Sequence, residues 1–186
     1  MGQPLHAAFR SSGLLRTSRD ASRDGRRTMG SDCLTRIERA VMTNERILGS
    51  CLCGAVRFGV LLPTLFCGHC HCTMCQRNHG AGYVTWFGVS RGQLAIEQGH
   101  EELREYKSSD HGKRTFCSRC GTSLFCESTT RPDEVDIPLA NMKSPIDRAP
   151  QLHVFFGDRA DWIEIADDLP RLGGESGTKP LADNDR

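Results

Sequence analysis

The chain has 186 residues, a formal net charge of +1, 38% hydrophobic residues and 25% charged residues. That length suits one domain with short extensions, since single cores typically serve roughly 100–200 residues, and the apolar share permits a modest core. The near-neutral charge leaves no global field to gather nucleic acid or an anionic membrane. No stretch approaches the about 20 apolar residues of a spanning helix, and the best run, "FGVLLPTLF", is broken by Pro63.

Residues 1–41 are rich in arginine and serine, lack lysine and carry few large apolar side chains. They read as a disordered extension, or as the product of a mis-assigned start codon with Met42 as the true one. Asp20, Asp24, Asp32 and Glu38 oppose a mitochondrial transit peptide, which avoids acids. From Arg46 onward short β-forming segments alternate with glycine turns: "GAVRFGVLL", "AGYVTWFGV", "QLAIEQG", "ELREYKSS", "KRTFCSRCGTSLFC", "DEVDIPLAN" and "QLHVFFGD". Helical periodicity is hard to find, so the expected class is all-β with at most one helical turn, Thr73 to His79. Residues 42–173 are expected to fold as one domain, with order fading after Leu172 into a disordered tail at 174–186.

The ten cysteines carry the chemistry. The CxC pairs Cys51/Cys53 and Cys70/Cys72 are too close to bridge comfortably, and no signal-peptide pattern points to an oxidising compartment. Metal ligation in a cytoplasmic protein is therefore expected. The recognisable groups are CxCG at Cys51–Gly54, CxCxxC at Cys70–Cys75 and CxxCG at Cys117–Gly121. Gly54 and Gly121 follow the outer groups, where a tight turn needs a residue tolerant of positive φ so that backbone N–H groups reach the sulfurs, whereas Gln76 follows Cys75. The simplest partition joins Cys51, Cys53, Cys117 and Cys120 as a closed site and leaves Cys70, Cys72 and Cys75 around a second zinc.

Structural zinc takes four ligands, while catalytic zinc keeps three and an open position. The residues alone leave two readings open. Both sites are structural, with Cys67 or His69 closing the second, or the second is open and ionises an incoming thiol. Thiol addition to an aldehyde is the natural reaction for an activated thiolate, and water activation is its competitor.

Other candidates have bland alternatives. His71 lies between two ligands and should point to the opposite face of an extended strand. Cys33 and Cys126 read as free thiols. Arg77 and Arg114 could contact substrate carboxylates or be solvated charge, and His79 could move protons or be structural. His153 receives no role, and Trp86 and Trp162 are read as packing.

Four segments together, "GSCLCGAVRF", "CHCTMCQRNHGAGY", "FCSRCGTSLF" and "HVFFGDRADWIEIADDLP", resemble the glutathione-dependent formaldehyde-activating enzymes, whose relatives include centromere protein V. The resemblance covers about residues 47–173. It implies an all-β, zinc-stapled fold of the β-tent kind seen in methionine sulfoxide reductase B, with 42–173 as the catalytic domain. It further implies two zinc ions, one structural on Cys51, Cys53, Cys117 and Cys120, and one catalytic on Cys70, Cys72 and Cys75. The implied activity is carbon–sulfur lyase chemistry, the forming or cleaving of S-hydroxymethylglutathione from formaldehyde and the co-substrate glutathione. The expected partners are thus a small-molecule thiol and aldehyde, without membrane or nucleic acid. Here Cys120-Gly121-Thr122 stands where the family often has CGS, and "ANMKSP" replaces a usual Leu-Asp pair, which leaves substrate identity open. The alternative is a non-catalytic zinc-binding module resembling centromere protein V, with the arginine-rich segment engaging an acidic partner. A redox role would need a reactive Cys67 or Cys126.

Overall fold

The computed structural model describes residues 44–181 together with Thr35, Ile37 and Glu38. The rest of the arginine-rich extension, Cys33 within it, and residues 182–186 lie outside the described residues. Strands dominate what is described, as the short β-branched and aromatic runs predict. Their order is β1 (Ile47–Ser50), β2 (Arg57–Val60), β3 (Phe66–Cys70), helix α1 (Thr73–His79), β4 (Val84–Ser90), β5 (Leu94–Gln98), β6 (Leu103–Lys107), β7 (Gly112–Cys117), β8 (Ser123–Ser128), β9 (Arg131–Pro138), β10 (His153–Val154), β11 (Leu172–Gly173) and β12 (Lys179–Pro180). The expected helical turn therefore forms over the expected residues. Among the described residues no helix is long and apolar enough to cross a membrane.

A three-stranded sheet, β1-β2-β5, packs with a seven-stranded sheet ordered β10-β3-β4-β9-β8-β7-β6. The larger sheet is antiparallel except where β10 lies parallel to β3. Successive side chains of a strand point to opposite faces, and β4 shows what each face does. Phe87 and Val89 join a core with Val56, Phe58, Val60, Leu124, Val135 and Ile137, beneath the small sheet. Val84 and Trp86 join a second cluster with Phe66, Cys70, Cys72, Cys75 and Val154. The second face is thus only partly apolar, and it carries the thiols.

One expectation needs correction. Leu172–Gly173 pairs with Lys179–Pro180, so a ladder closes within the stretch expected to lack order. Of the two tryptophans expected to pack in the core or at an edge, Trp86 is buried, and Trp162 lies against Gly82 at an edge with 68% of its surface exposed.

Candidate active site

The outer cysteine groups meet although 64 residues separate Cys53 from Cys117. Each sits on a tight knuckle. Gly54 (φ 73°) donates its N–H to the Cys51 carbonyl, and Gly121 (φ 72°) donates to the Cys117 carbonyl; both are left-handed positions that glycine occupies without steric cost. The knuckles are laced together by the Leu52 N–H, which donates to the Thr122 hydroxyl at 3.1 Å. The Sγ atoms of Cys51 and Cys53 lie 3.6 Å apart, and those of Cys53 and Cys117 3.9 Å. A tetrahedron with Zn–S bonds of about 2.3 Å has edges of about 3.8 Å. The four sulfurs, with Cys120 included, could therefore hold zinc and leave no vacancy.

The middle group is built locally. Strand β3 delivers Cys70, Cys72 caps α1 by accepting from the Cys75 N–H at 3.4 Å, and α1 turns Cys75 back toward both. The helix stops after two turns because Gly80 takes a left-handed conformation and donates to the Gln76 carbonyl. Gln76, which stands where the outer knuckles have glycine, donates from Nε2 to the carbonyls of His71 and Asp158, tying the knuckle to the turn at Phe156–Asp158. All three thiols are buried, and their sulfurs lie within 4.8 Å of one another. Neither Cys67 nor His69 joins them, because alternation turns both to the other face of β3.

A cavity of about 330 Å³ opens over these thiols. A larger hollow of about 630 Å³ lies between α1 and the second knuckle, but it meets only one clustered cysteine, Cys120. Chemistry selects the smaller one. Its walls include Trp86, Arg114, Cys126, Arg131, Asp136 and Phe155. Cross-strand register explains the gathering, for Arg114 stands opposite Cys126, and Cys126 opposite Asp136, along one row of the sheet.

The two arginines on this wall differ. Arg131 is neutralised, binding Asp136 through both guanidinium nitrogens at 3.1 and 2.6 Å and Glu134 at 2.8 Å. Arg114, only 6% exposed, has as its partner the Cys75 sulfur, 3.6 Å from Nη2, while its Nη1 is buried without an acceptor. A buried guanidinium without an anion costs several kcal/mol, so its setting favours thiolate sulfur. Hydrogen bonds from Cys70 and Cys72, then the charge of Arg114, hold the Cys75 thiol well below its usual range. Trp86 Nε1 is a second buried donor with no acceptor on the same wall.

The structure sorts the remaining candidates. Arg114 is far from solvated charge, whereas Arg77 is exposed. His71 is fully buried and bonded to His153, 2.8 Å away, as its alternation implied. His79 sets its ring edge-on to Trp86 at 5.3 Å, and burial lowers its pKa. Burial pushes the thiols of Cys67 and Cys126 up to about 12, which opposes the redox reading. Sequence reasoning missed Arg131, Asp136, Phe155 and the Gly174–Glu175 stretch of the wall. Asp136 and Phe155 lay in segments read as strands, "DEVDIPLAN" and "QLHVFFGD", but neither the cross-strand neighbours of Asp136 nor the left-handed backbone of Phe155 (φ 53°) could be read there.

A family model described as glutathione-dependent formaldehyde-activating enzyme matches residues 46–158. The chain belongs to this family. A Halomonas elongata protein provisionally named as such an enzyme is 30% identical over 124 residues, which span 63% of this chain and 79% of that protein. An uncharacterized lyase of Schizosaccharomyces pombe is 29% identical over 79 residues, 41% of this chain and 54% of the lyase. A crystal structure of a Rhodobacter sphaeroides protein, 25% identical, covers 55% of this chain and 93% of its own with a TM-score of 0.46.

Proposed function

We propose that this member of the family forms or cleaves the carbon–sulfur bond of S-hydroxymethylglutathione or a closely related thiol–aldehyde adduct. In this reading Cys51, Cys53, Cys117 and Cys120 hold a structural zinc, and Cys70, Cys72 and Cys75 hold a catalytic one. The observation that carries it is a group of three buried sulfurs on the wall of a cavity, with no fourth ligand atom in the group among the described residues. Thiolates are soft donors suited to zinc, and three of them leave one position free. Zinc bound there would supply Lewis acidity that favours ionisation of an incoming thiol.

The chain's own residues account for the rest. Arg114 offsets negative charge beside Cys75 and keeps one guanidinium donor unused. As the glutathione sulfur attacks the aldehyde carbon, the S–C bond forms and the C=O π pair moves to oxygen. That oxygen needs hydrogen-bond donors, and of the buried donors without acceptors on this wall Arg114 Nη1 and Trp86 Nε1 belong to groups not already paired to a carboxylate, unlike Arg131. The oxygen then takes a proton from solvent, balancing the one the thiol released; cleavage runs the same steps backward. Phe155 and Met74 give the wall an apolar part, while Ser108, Ser109 and His111 offer hydrogen bonds to the peptide portion of glutathione. The proposed functional unit is residues 42–173 extended to at least Glu175, which contributes to the wall. A cytoplasmic setting is supported by the nine described cysteines, all unbridged.

The test is exchange NMR with ¹³C-formaldehyde and glutathione. Metal-loaded protein should speed interconversion of formaldehyde and its glutathione adduct above the spontaneous rate, saturably in glutathione. No acceleration, or an equal one from Cys72→Ser protein, would defeat the proposal.

A further inference from the structure

The opposite face of the sheet holds polar groups that the sulfur chemistry does not use. His69 and His71 flank Cys70, and alternation turns both away from the thiols. Parallel pairing of β10 with β3 then sets His153 beside His69, with ring centroids 4.9 Å apart. One nitrogen of each ring is already held from behind. Thr85 Oγ1 lies 2.9 Å from His69 Nδ1, and His71 Nε2 lies 2.8 Å from His153 Nδ1.

The remaining nitrogens converge on a carboxylate. His153 Nε2 is 3.0 and 3.2 Å from the two oxygens of Asp167, and the ligand atoms of His69, His153 and Asp167 all lie within 4.8 Å of one another. Imidazoles that bind metals use one nitrogen for the ion and fix ring direction with a hydrogen bond at the other. Two such imidazoles and a carboxylate suit borderline first-row divalent ions, which also hold water in the open positions. His153 is 1% exposed and the Asp167 side chain 44%, so the nest is buried on one side and reachable from solvent on the other.

We propose that His69, His153 and Asp167 form a third cation site, distinct from both cysteine clusters, for a first-row divalent transition ion bound through two nitrogens and a carboxylate. Without the ion, Asp167 accepts from His153 Nε2–H, and His153 Nδ1 and His71 Nε2 share one hydrogen bond. Ion entry requires the lone pair of His153 Nε2, so the His153 proton must sit on Nδ1 and be donated to His71 Nε2. The cost falls on His71 Nδ1, which becomes a buried N–H with no acceptor. The bound ion would clamp the segment carrying Asp167 onto β3 and β10, directly behind Cys70.

Cobalt(II) tests this, because thiolate sites give intense sulfur-to-cobalt charge-transfer bands and a nitrogen–oxygen site gives only weak d–d bands. The full-length protein would be stripped of metal under reducing conditions and titrated with Co²⁺. The weak bands should keep growing for one further equivalent after charge transfer saturates. In Asp167→Asn and His69→Gln proteins that equivalent should weaken at least about tenfold, while unchanged charge-transfer bands show that each variant still folds. Wild-type titration that ends with the charge-transfer bands, or a further equivalent that persists in both variants, would overturn the site and leave a hydrogen-bonded network. Failure of the sulfur assignments would show separately, as absent charge transfer.

Discussion

The two cysteine clusters differ in construction more than in composition. The four-sulfur cluster joins knuckles from opposite parts of the chain, and its Cys53 is exposed, yet it brings four sulfurs within 4.8 Å of one another, two of the separations close to the edge of a zinc–thiolate tetrahedron. The three-sulfur cluster is assembled within six residues at a strand–helix junction and is wholly buried, yet it offers only three ligand atoms among the described residues and lies on the wall of a cavity. On the proposed assignment, completeness of the donor set, and not access to water, separates a staple from a reactive centre: the rim cluster would tie the fold together, whereas the buried one would lean on a fold that already exists.

Breaking each cluster should therefore give unlike results. On the proposed assignment, Cys117→Ser removes a staple whose metal is worth roughly 10–16 kcal/mol in small zinc peptides, against total domain stabilities of about 5–15 kcal/mol. The expected outcome is a protein without a cooperative thermal transition by circular dichroism. Cys72→Ser should keep the transition and lose about one sulfur-bound metal. Because Lewis-acid stabilisation is worth several kcal/mol, adduct interconversion should slow at least about 100-fold. Equal unfolding of both variants would erase the distinction between the clusters.

A finer cut separates the sulfurs from the residues that face them. Lysine in place of Arg114 keeps a charge near Cys75 but loses the fork that bonds the sulfur with one arm and leaves the other free. A hydrogen bond involving a charged group is worth about 1.5–3 kcal/mol, so Arg114→Lys should lower kcat/KM about 10- to 100-fold. Sulfur-bound metal, measured by thiolate-to-cobalt charge transfer, should stay at the wild-type level. Loss of metal instead would mean that Arg114 maintains the cluster and does not act on substrate.

The part of the site set by local spacing is legible in the sequence itself. CxC, CxxC and the knuckle glycines Gly54 and Gly121 dictate which sulfurs can converge, and β-alternation sends His71 away from Cys70, whereas the exclusion of Cys67 and His69 had to come from the structure. The illegible part depends on register across strands distant in sequence. Arg114, Cys126 and Asp136 form a row because of how β7, β8 and β9 align, and nothing local to "KRTF" distinguishes a buried guanidinium from a solvated one. The wall at Gly174–Glu175 was hidden for a related reason. Its glycine- and charge-rich composition reads as tail, but the Gly177 carbonyl accepts from the Phe155 N–H at 3.0 Å, and Leu172–Gly173 pairs with Lys179–Pro180.

The smallest expected effect concerns the thiols outside both clusters. Cys67 and Cys126 are each pushed by burial up to about 12, with nearby Asp147 and Asp136 adding to the rise against Arg148 and Arg114. At pH 8 a thiol of that acidity is thiolate in about one molecule in ten thousand, and only the thiolate reacts with alkylating agents. Iodoacetamide followed by peptide mass spectrometry should therefore find both unmodified in the folded, metal-loaded protein and modified after denaturation. For a fixed accessibility, labelling of either should rise about tenfold per pH unit below its pKa, the sign expected when burial favours the neutral form. Rapid labelling of Cys126 at pH 8 would have the opposite meaning. It would show a thiolate stabilised by Arg114 on the cavity wall, a fourth sulfur beside the three, and the contrast between an open and a closed cluster would have to be redrawn.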